Sequence, residues 1–130
     1  MKKIITLILF IFALSIYLLI NNKQCSNKQA RKYLINSKNY CLLTASNQEQ
    51  WEKGLMFYKK PVNFDGMIFI FPNKETRSFW NKNTYLDLDL YWMNEDKIVG
   101  KSFLPSILKS ENLVTISSEE EINRVVEIVK

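Results

Sequence analysis

The segment FWNKNTYLDLDLYW at residues 79–92 decides the fold, because its second half alternates strictly between apolar and polar residues. One side of an extended chain would carry Leu86, Leu88, Leu90 and Trp92. The other side would carry Asp87, Asp89 and Tyr91. A period of two residues with one apolar side predicts a half-buried β-strand. The preceding NKNT consists of turn-forming residues, so the chain is expected to turn into this strand.

Two short motifs lie upstream of this segment. GLM begins at Gly54 and follows a capping-box spacing from Ser46 to Glu49, which predicts a short helix that ends at the glycine. GMIFIF at residues 66–71 is a continuous apolar run, which predicts a strand buried on both faces. The Pro-Asn-Lys that follows is expected to end that strand with a turn.

Together these three motifs resemble, in order and spacing, a prokaryotic family called domain of unknown function 192, whose pattern is GLM, GM(L/I)F.F and FWMKNT..PLD. The resemblance covers about residues 39–129. It implies a mainly β fold and no particular activity, because the family has no established one. The chain departs from the pattern at Asn81, where the family has methionine, and at Asp87, where it has proline. Either change could weaken an ancestral site.

The rest of the pattern predicts six or seven short strands. They fall at residues 40–45, 66–71, 76–81, 86–93, 97–103, 113–116 and 124–129. The expected fold is a small antiparallel β-sandwich or barrel-like domain with one short helix, preceded by an N-terminal transmembrane helix. The chain stops soon after the last strand, so one sheet edge is expected to be short or completed by a partner.

The N-terminal segment is basic at first and then apolar. Residues 4–20 form a run of 17 residues without a charge, and a helix of that length reaches about 25 Å, just short of the ~30 Å hydrocarbon core. A signal peptide cleaved at the small-x-small residues 13–15 is the alternative. Such cleavage would leave an apolar stub, so an uncleaved anchor is favoured. The predicted organisation is an anchor or signal at 1–20, a basic polar linker at 21–38 and a β-rich domain at 39–130.

The side of the membrane on which the domain lies depends on opposing signals. Two lysines precede the apolar run and five basic residues follow it within about 18 residues, so the positive-inside rule alone keeps the domain in the cytoplasm. The signal-like N-terminus and the secretory leaders common in the resembled family favour the other side, and we expect an extracytoplasmic domain. In an oxidising compartment Cys25 and Cys41 could form a disulfide, and the sequence does not decide between a disulfide and two free thiols.

Charge and composition exclude several classes of function. The chain has a formal net charge of +5, but residues 1–38 hold seven basic residues and no acidic one. The remainder has 11 basic and 13 acidic residues, a formal charge of −2, so no basic groove and no nucleic-acid partner are expected. Histidine is absent, which removes the commonest general base and zinc ligand. No metal or cofactor is expected.

The candidate binding residues lie in and after the FWNKNT turn. They are Trp80, Lys82, Asn83, Thr84 and Asp89, which match the FW.KNT and LD positions of the resembled family. An ammonium, an amide and a carboxylate close together could bind a polar ligand or orient a peptide. The competing interpretation is structural, with Asn83 and Thr84 bonded to the turn backbone and Asp89 paired with Lys82. Asp87 and Asp89 alone supply too few oxygens for calcium.

Two hypotheses about function follow. The first is a membrane-tethered, extracytoplasmic binding or accessory domain, held by residues 4–20, that binds a ligand or partner protein or serves as a subunit of a membrane assembly. The alternative is an envelope enzyme that uses Lys82, Asn83 and Asp89 on a peptide or glycan substrate. Binding is favoured, because the sequence contains no evident catalytic set.

Overall fold

Two helices and eight strands make up the described part of the chain. The computed structural model describes residues 1–21 and 24–130, and Asn22 and Lys23 of the predicted linker lie outside the described residues. The elements are α1 (Lys2–Asn21), β1 (Arg31–Ile35), β2 (Lys38–Ala45), α2 (Gln48–Lys53), β3 (Gly66–Glu75), β4 (Ser78–Trp80), β5 (Leu88–Asn94), β6 (Lys97–Leu104), β7 (Thr115–Ser117) and β8 (Ile122–Val129). The prediction of a mainly β domain with one short helix is confirmed.

Six strands form one curled sheet with the shape of half a barrel. Its strand order is β1-β2-β3-β8-β5-β6, and β4 pairs separately with β7. Every pair is antiparallel except β2 and β3, which run parallel. The expectation of a wholly antiparallel domain is therefore wrong. A parallel pair needs a long connection that returns the chain to the same end of the sheet, and residues 46–65, including α2, provide it.

The last strand, β8, lies in the middle of the sheet. Val126 pairs with Ile68 on β3 and with Tyr91 on β5, and the two edges of the sheet are β1 and β6. The C-terminal residues are enclosed between two other strands, so they do not form the sheet edge that was expected to be short or completed by a partner.

β3 is longer than predicted and continues through Pro72 to Glu75. Its pairing with β8 shifts register between Ile70 and Glu75, so the proline falls where the ladder is already irregular. Proline lacks the backbone N–H that a regular ladder needs, and a bulge of this kind tolerates it. The predicted turn at this position is therefore replaced by an irregular extension of the strand.

The two faces of the sheet carry separate apolar clusters. The larger cluster includes Phe69 and Val125 and packs against Trp51 of α2 and Phe79 of β4. The smaller cluster, on the opposite face, includes Ile68 and Val126 together with Leu42, Ile35 and Met93. Successive strand residues point to opposite faces, which is why neighbours in β3 and β8 belong to different clusters. The prediction that the GMIFIF strand is buried on both faces is confirmed.

α2 begins one residue later than the capping box predicted. Its N-cap is Asn47, whose Oδ1 accepts a hydrogen bond from the Gln50 backbone N–H at 3.0 Å. The Gln50 Oε1 accepts from the Ser46 backbone N–H at 2.8 Å, so Gln50 takes the part expected of Glu49. Gly54 follows the helix with φ of 48°, a conformation that favours glycine, as predicted.

α1 has apolar side chains on all of its sides. Every described side chain of the helix, from Lys3 to Leu19, is exposed. The Ser15 hydroxyl donates to the Phe12 carbonyl at 2.8 Å, within the helix itself. Over the described residues, no helix combines the length and the apolarity that a membrane crossing requires.

The packed domain begins earlier in the chain than predicted. β1 starts at Arg31, within the predicted linker, and Tyr33 pairs with Tyr40 of β2. A strand of five residues shows too little alternation to stand out among basic neighbours. Cys25 and Cys41, whose pairing the sequence left open, form a disulfide with 5.6 Å between their Cα atoms.

Candidate functional site

The FWNKNT turn is built around a fully buried amide, Asn81. Its Nδ2 donates to the Pro105 carbonyl at 3.0 Å and to the Ser110 Oγ at 2.8 Å. Its Oδ1 accepts from the Val114 backbone N–H at 2.9 Å. These bonds tie the turn to the loop between β6 and β7. They account for an amide at the position where the resembled family has methionine.

Asn83 and Thr84 complete the turn through hydrogen bonds that involve the backbone. Asn83 has φ of 52°, a conformation that asparagine tolerates, and its carbonyl accepts from the Phe57 N–H at 2.9 Å. Thr84 is buried, its N–H donates to the Asn81 carbonyl at 3.0 Å, and its Oγ1 donates to the Lys82 carbonyl at 3.2 Å. The Thr84 hydroxyl therefore bonds to the turn backbone, as in the structural interpretation, whereas the Asn83 contact is made by its backbone carbonyl and reaches Phe57, outside the turn.

Trp80 and Lys82 present exposed side chains on the same part of the surface. The Trp80 side chain is 46% exposed, and the Lys82 ammonium lies 5.0 Å from the centroid of its ring. A cation at that distance is attracted to the negative face of the indole. Trp80 is the last residue of β4 and pairs with Thr115 of β7, so the backbone beneath the ring is held by the small second sheet.

Asp89 lies on β5 and forms ion pairs with lysines other than Lys82. Its carboxylate is 3.3 Å from the Lys101 Nζ and 3.7 Å from the Lys130 Nζ. Its hydrogen bond to Lys101 raises the pKa of that lysine. Lys101 sits diagonally across from Asp89 on the neighbouring strand, which is a favourable position for an ion pair. Within the described residues Asp89 has no ion pair with Lys82, so the five candidate residues do not form one cluster.

Asp87 is also engaged. Its Oδ1 accepts from the Ser106 backbone N–H at 2.9 Å, and its other oxygen forms an ion pair with Lys109. The Lys109 ammonium first, and the Ser106 N–H second, hold the pKa of Asp87 below its usual value. Across residues 1–21 and 24–130 there is no group of three or more potential metal ligands.

A cleft of about 400 Å³ opens beside Trp80. Its aromatic lining consists of Trp51, Phe71, Phe79 and Trp80. Its polar lining consists of Gln48, Glu52, Thr76, Arg77 and Ser78. α2, β3 and β4 each contribute residues to it, together with the short link between β3 and β4. The volume lies within the ~300–1,000 Å³ range of small-molecule sites. We call this region the aromatic cleft.

Three rings of the aromatic cleft, those of Trp51, Phe71 and Phe79, are packed against other aromatic rings. The Trp51 and Phe71 centroids are 5.0 Å apart. Phe79 packs edge-on against Phe69 at 4.9 Å and against Trp92 at 5.6 Å. Aromatic pairs prefer such tilted and edge-to-face contacts. The floor of the cleft is therefore continuous with the core of the domain and is formed before any ligand arrives.

Arg77 lies flat against this aromatic surface. Its guanidinium carbon is 3.7 Å from the Phe71 centroid, and its Nη2 donates to the Asn73 carbonyl at 3.1 Å. The same Nη2 is 3.8 Å from the Glu75 carboxylate. The Nε of Arg77 is buried and has no hydrogen-bond partner in the described part of the chain. An unpaired buried donor is rare in folded proteins.

Sequence reasoning missed Trp51, Arg77 and Glu127. Trp51 and Arg77 line the cleft, and the only feature of the sequence that could have indicated them is their position near the GLM and FWNKNT motifs. Glu127 is 4% exposed on β8, between Met67 of β3 and Leu90 of β5, and burial raises its pKa to about 8. Its signal was a single glutamate inside the apolar run VVEIV.

Known proteins resemble this chain in sequence pattern and in fold. No curated protein matches it. Its structure is similar to that of a protein from Sinorhizobium meliloti 1021 provisionally described as a transcription regulator, with 25% identity, a TM-score of 0.62, and coverage of 80% of this chain and 84% of that one. It is also similar to a protein of unknown function from Novosphingobium aromaticivorans DSM 12444, with 21% identity, a TM-score of 0.60, and coverage of 75% and 70%.

A family model extends the resemblance noted from the three motifs. The model DUF192, described as "Uncharacterized ACR", matches residues 31–130. The match begins at the first residue of β1 and includes every strand of the domain. Because it covers most of the chain, this protein belongs to the DUF192 family.

Proposed function

We propose that this protein is a membrane-tethered domain that lies outside the cytoplasm and binds a ligand or partner at the aromatic cleft. The observation that carries the proposal is the exposure of α1, whose described side chains from Lys3 to Leu19 are all accessible. A helix that is apolar on all sides needs an apolar environment around it. The hydrocarbon of a lipid bilayer supplies that environment.

A single crossing is the arrangement we propose for α1, in preference to a helix that lies on the membrane surface. A surface helix needs a strongly polar face. Between Lys3 and Leu19 only Thr6, Ser15 and Tyr17 carry a polar group, and the Ser15 hydroxyl is bonded to the Phe12 carbonyl. The apolar run at residues 4–20 extends about 25 Å, so a bilayer with a hydrocarbon core of ~30 Å would have to thin locally around it.

The disulfide between Cys25 and Cys41 supports the extracytoplasmic part of the proposal. Disulfides form and persist in oxidising compartments and are rare where cytoplasmic thiol reductants act. The positive-inside rule opposes this orientation, since basic residues follow α1, but that rule does not account for a disulfide. We therefore keep the expectation of a domain outside the cytoplasm.

The binding form of the proposal is favoured over the enzyme alternative. That alternative needed Lys82, Asn83 and Asp89 to act together on a peptide or glycan. Lys82 is exposed and lies over Trp80, whereas Asp89 pairs with other lysines. The aromatic cleft, by contrast, brings exposed Trp80 together with preformed rings and polar groups, which suits binding.

Two narrower roles receive different support. A subunit role in a membrane assembly is compatible with the tether. A partner that added a strand to the sheet would have to pair with β1 or β6, since these are its edges and the C-terminal strand is not one of them.

DNA binding, suggested only by the description of the Sinorhizobium protein, is not part of the proposal. Residues 31–130, which contain all eight strands, hold 14 basic and 13 acidic residues, a formal charge of +1, so the domain has no strong electrostatic attraction for phosphates.

Extraction of membranes from cells that express the tagged full-length protein tests the tether. We expect the protein to stay in the membrane pellet after an alkaline carbonate wash and to dissolve in detergent. Replacing Leu9 and Phe12 by arginine should release it, because each charge at the centre of a span costs about 2.5–3.5 kcal/mol.

The matched control is Leu108→Arg with Leu113→Arg, which places the same two charges on residues of the domain surface that are 75% and 51% exposed. This variant should remain with the membrane. Recovery of the unaltered protein in the soluble fraction, or retention of the double-arginine variant, would contradict the proposed tether.

A further inference from the structure

We infer that the aromatic cleft is a glycan-binding site, in which a neutral sugar ring stacks on Trp80 and its hydroxyls bond to the polar lining. This inference deepens the proposed binding role and rests on it, since it names the class of ligand for the same cleft. It is carried by three features: an exposed aromatic platform, a lining that both donates and accepts hydrogen bonds, and charges that are already balanced within the protein.

The platform is the indole of Trp80. It is 46% exposed, although tryptophan is on average a highly buried residue. Lys82 lies against the ring but is not part of the cleft lining, so the cleft meets indole surface that the ammonium does not occupy. The C–H bonds on one face of a pyranose ring are weakly positive and complement the negative face of an aromatic ring.

A second aromatic wall stands in a fixed position. Trp51 packs against Phe71 at 5.0 Å, and its Nε1 donates to the Ala45 carbonyl at 3.1 Å. The polar atom of this indole is therefore already satisfied, and its apolar surface is what remains for a ligand. A preformed wall lowers the entropy cost of binding, because no side chain has to be ordered when the sugar arrives.

Hydroxyl groups need partners that both donate and accept hydrogen bonds, and the cleft offers both. Gln48 and Ser78 can do either, Glu52 accepts, and Arg77 donates. Gln48 and Glu52 are exposed and one helical turn apart on α2, where the Gln48 Nε2 donates to the Glu52 Oε1 at 2.7 Å.

The charges of the cleft favour a neutral ligand. The lining holds one cationic side chain, Arg77, and one anionic side chain, Glu52, so neither sign is in excess among the residues that line the cleft. The faces of Phe71 and Trp80 each already carry an intramolecular cation, Arg77 and Lys82 respectively. These two cations repel a cationic ligand that approaches the rings. A neutral ligand with apolar faces and hydroxyl edges meets no such repulsion.

Titration of the full-length protein with soluble sugar tetramers tests the inference. The protein is held in lipid nanodiscs, because detergents with sugar head groups would compete for the site. The probes are a tetramer of N-acetylglucosamine and a tetramer of glucose, and the readouts are calorimetry and tryptophan emission. Trp92 is 3% exposed, so an emission change would report mainly on the tryptophans of the cleft.

We expect saturable binding of at least one tetramer. Trp80→Ala should weaken that binding by roughly tenfold or more, as expected when a central aromatic contact is removed. Trp80→Phe should retain part of the affinity, because it keeps an aromatic face. Gln48→Ala, on the exposed side of α2, should weaken binding without loss of the fold. The matched control is Phe103→Ala, which removes an aromatic ring that is 49% exposed on β6, outside the cleft, and should bind as the unaltered protein does.

Failure of both tetramers to bind would overturn the inference, as would a folded Trp80→Ala variant with unchanged affinity. Binding of a peptide but of neither sugar would overturn it equally. These outcomes are separate from the membrane extraction test, which depends on α1 and not on the cleft. The tether can therefore stand when the glycan assignment falls, and the reverse also holds.

Discussion

Cys25 and Cys41 are joined by a disulfide that links the segment after α1 to the second strand of the sheet. Cys25 lies four residues beyond Asn21, the last residue of α1. Four extended residues span at most about 14 Å. A membrane that holds α1 would therefore hold Cys25 close to its surface. Because the disulfide joins Cys25 to Cys41 of β2, the domain would be held there as well.

The disulfide should stabilise the folded domain by limiting the unfolded chain. It closes a loop with a sequence separation of 16, for which the loop-entropy model gives about 3 kcal/mol. The double variant Cys25→Ser and Cys41→Ser should lose about that much free energy of unfolding in urea titrations of the detergent-solubilised protein. A reductant should reproduce the loss in the unaltered protein and have no effect on the double variant. Equal sensitivity of both proteins to reductant would contradict the pairing.

Restoring the family's methionine at Asn81 should destabilise this protein. Asn81→Met would leave the Val114 N–H and the Pro105 carbonyl without the partners they now have. Each buried polar group left unpaired costs about 1–3 kcal/mol. Urea unfolding should show a loss of at least about 2 kcal/mol. The control Asn39→Met changes an exposed amide and should stay within about 0.5 kcal/mol. An unaltered Asn81→Met midpoint would show that the amide does not hold the loop.

The glycine that opens the GMIFIF strand is required by a close backbone approach. A Cβ added at Gly66 would lie 1.8 Å from the Glu127 carbonyl oxygen, far inside contact distance. Gly66→Ala must therefore push β3 away from β8, and we expect a loss of about 3 kcal/mol or more in unfolding free energy. Gly100→Ala is the matched control, because its Cβ would meet only the Trp92 side chain, at 3.2 Å. A larger loss at Gly100 than at Gly66 would contradict the β3–β8 register.

Glu127 should make stability fall as pH rises. Burial raises its pKa from 4.5 to about 8, so the folded protein keeps a proton that the unfolded chain has released. Between about pH 4.5 and 8 this residue alone should lower the unfolding free energy by up to about 1.4 kcal/mol per pH unit, with no further loss above that range. Glu127→Gln should remove this contribution, so the difference between the two proteins should grow with pH. A constant difference across the range would mean that the carboxyl is ionised in the folded state.

Local patterns predicted individual elements better than their arrangement. Strict alternation identified β5, and its turn and hairpin partner β6 followed from the next residues. The central place of β8 and the parallel pairing of β2 with β3 depend on which distant strands meet, and no local pattern encodes that. The sequence did not reveal β1, because two of its five residues are basic and Ile35 is its only buried apolar residue, whereas Leu34 is 69% exposed.

Only part of the candidate site could be predicted, because local patterns do not show which distant elements meet. The motif drew attention to Trp80, because an aromatic residue beside a turn is visible in the sequence. Its neighbours Trp51 and Arg77 come from other elements, and only the fold brings them to the same cleft. The partner of Asp89 was misassigned to Lys82, four residues from the start of the strand pattern, whereas cross-strand register places Lys101 beside it.

Protease treatment of sealed spheroplasts that express the full-length protein with a C-terminal tag determines on which side of the membrane the domain lies. A cytoplasmic marker protein that stays intact shows that the spheroplasts are sealed. We expect the tagged protein to sediment with the spheroplasts before protease is added, and the protease then to digest the domain without lysis, because the domain is tethered outside the cytoplasm. Protection of the tag until the cells are lysed would show that the domain lies inside and that the proposed location is wrong.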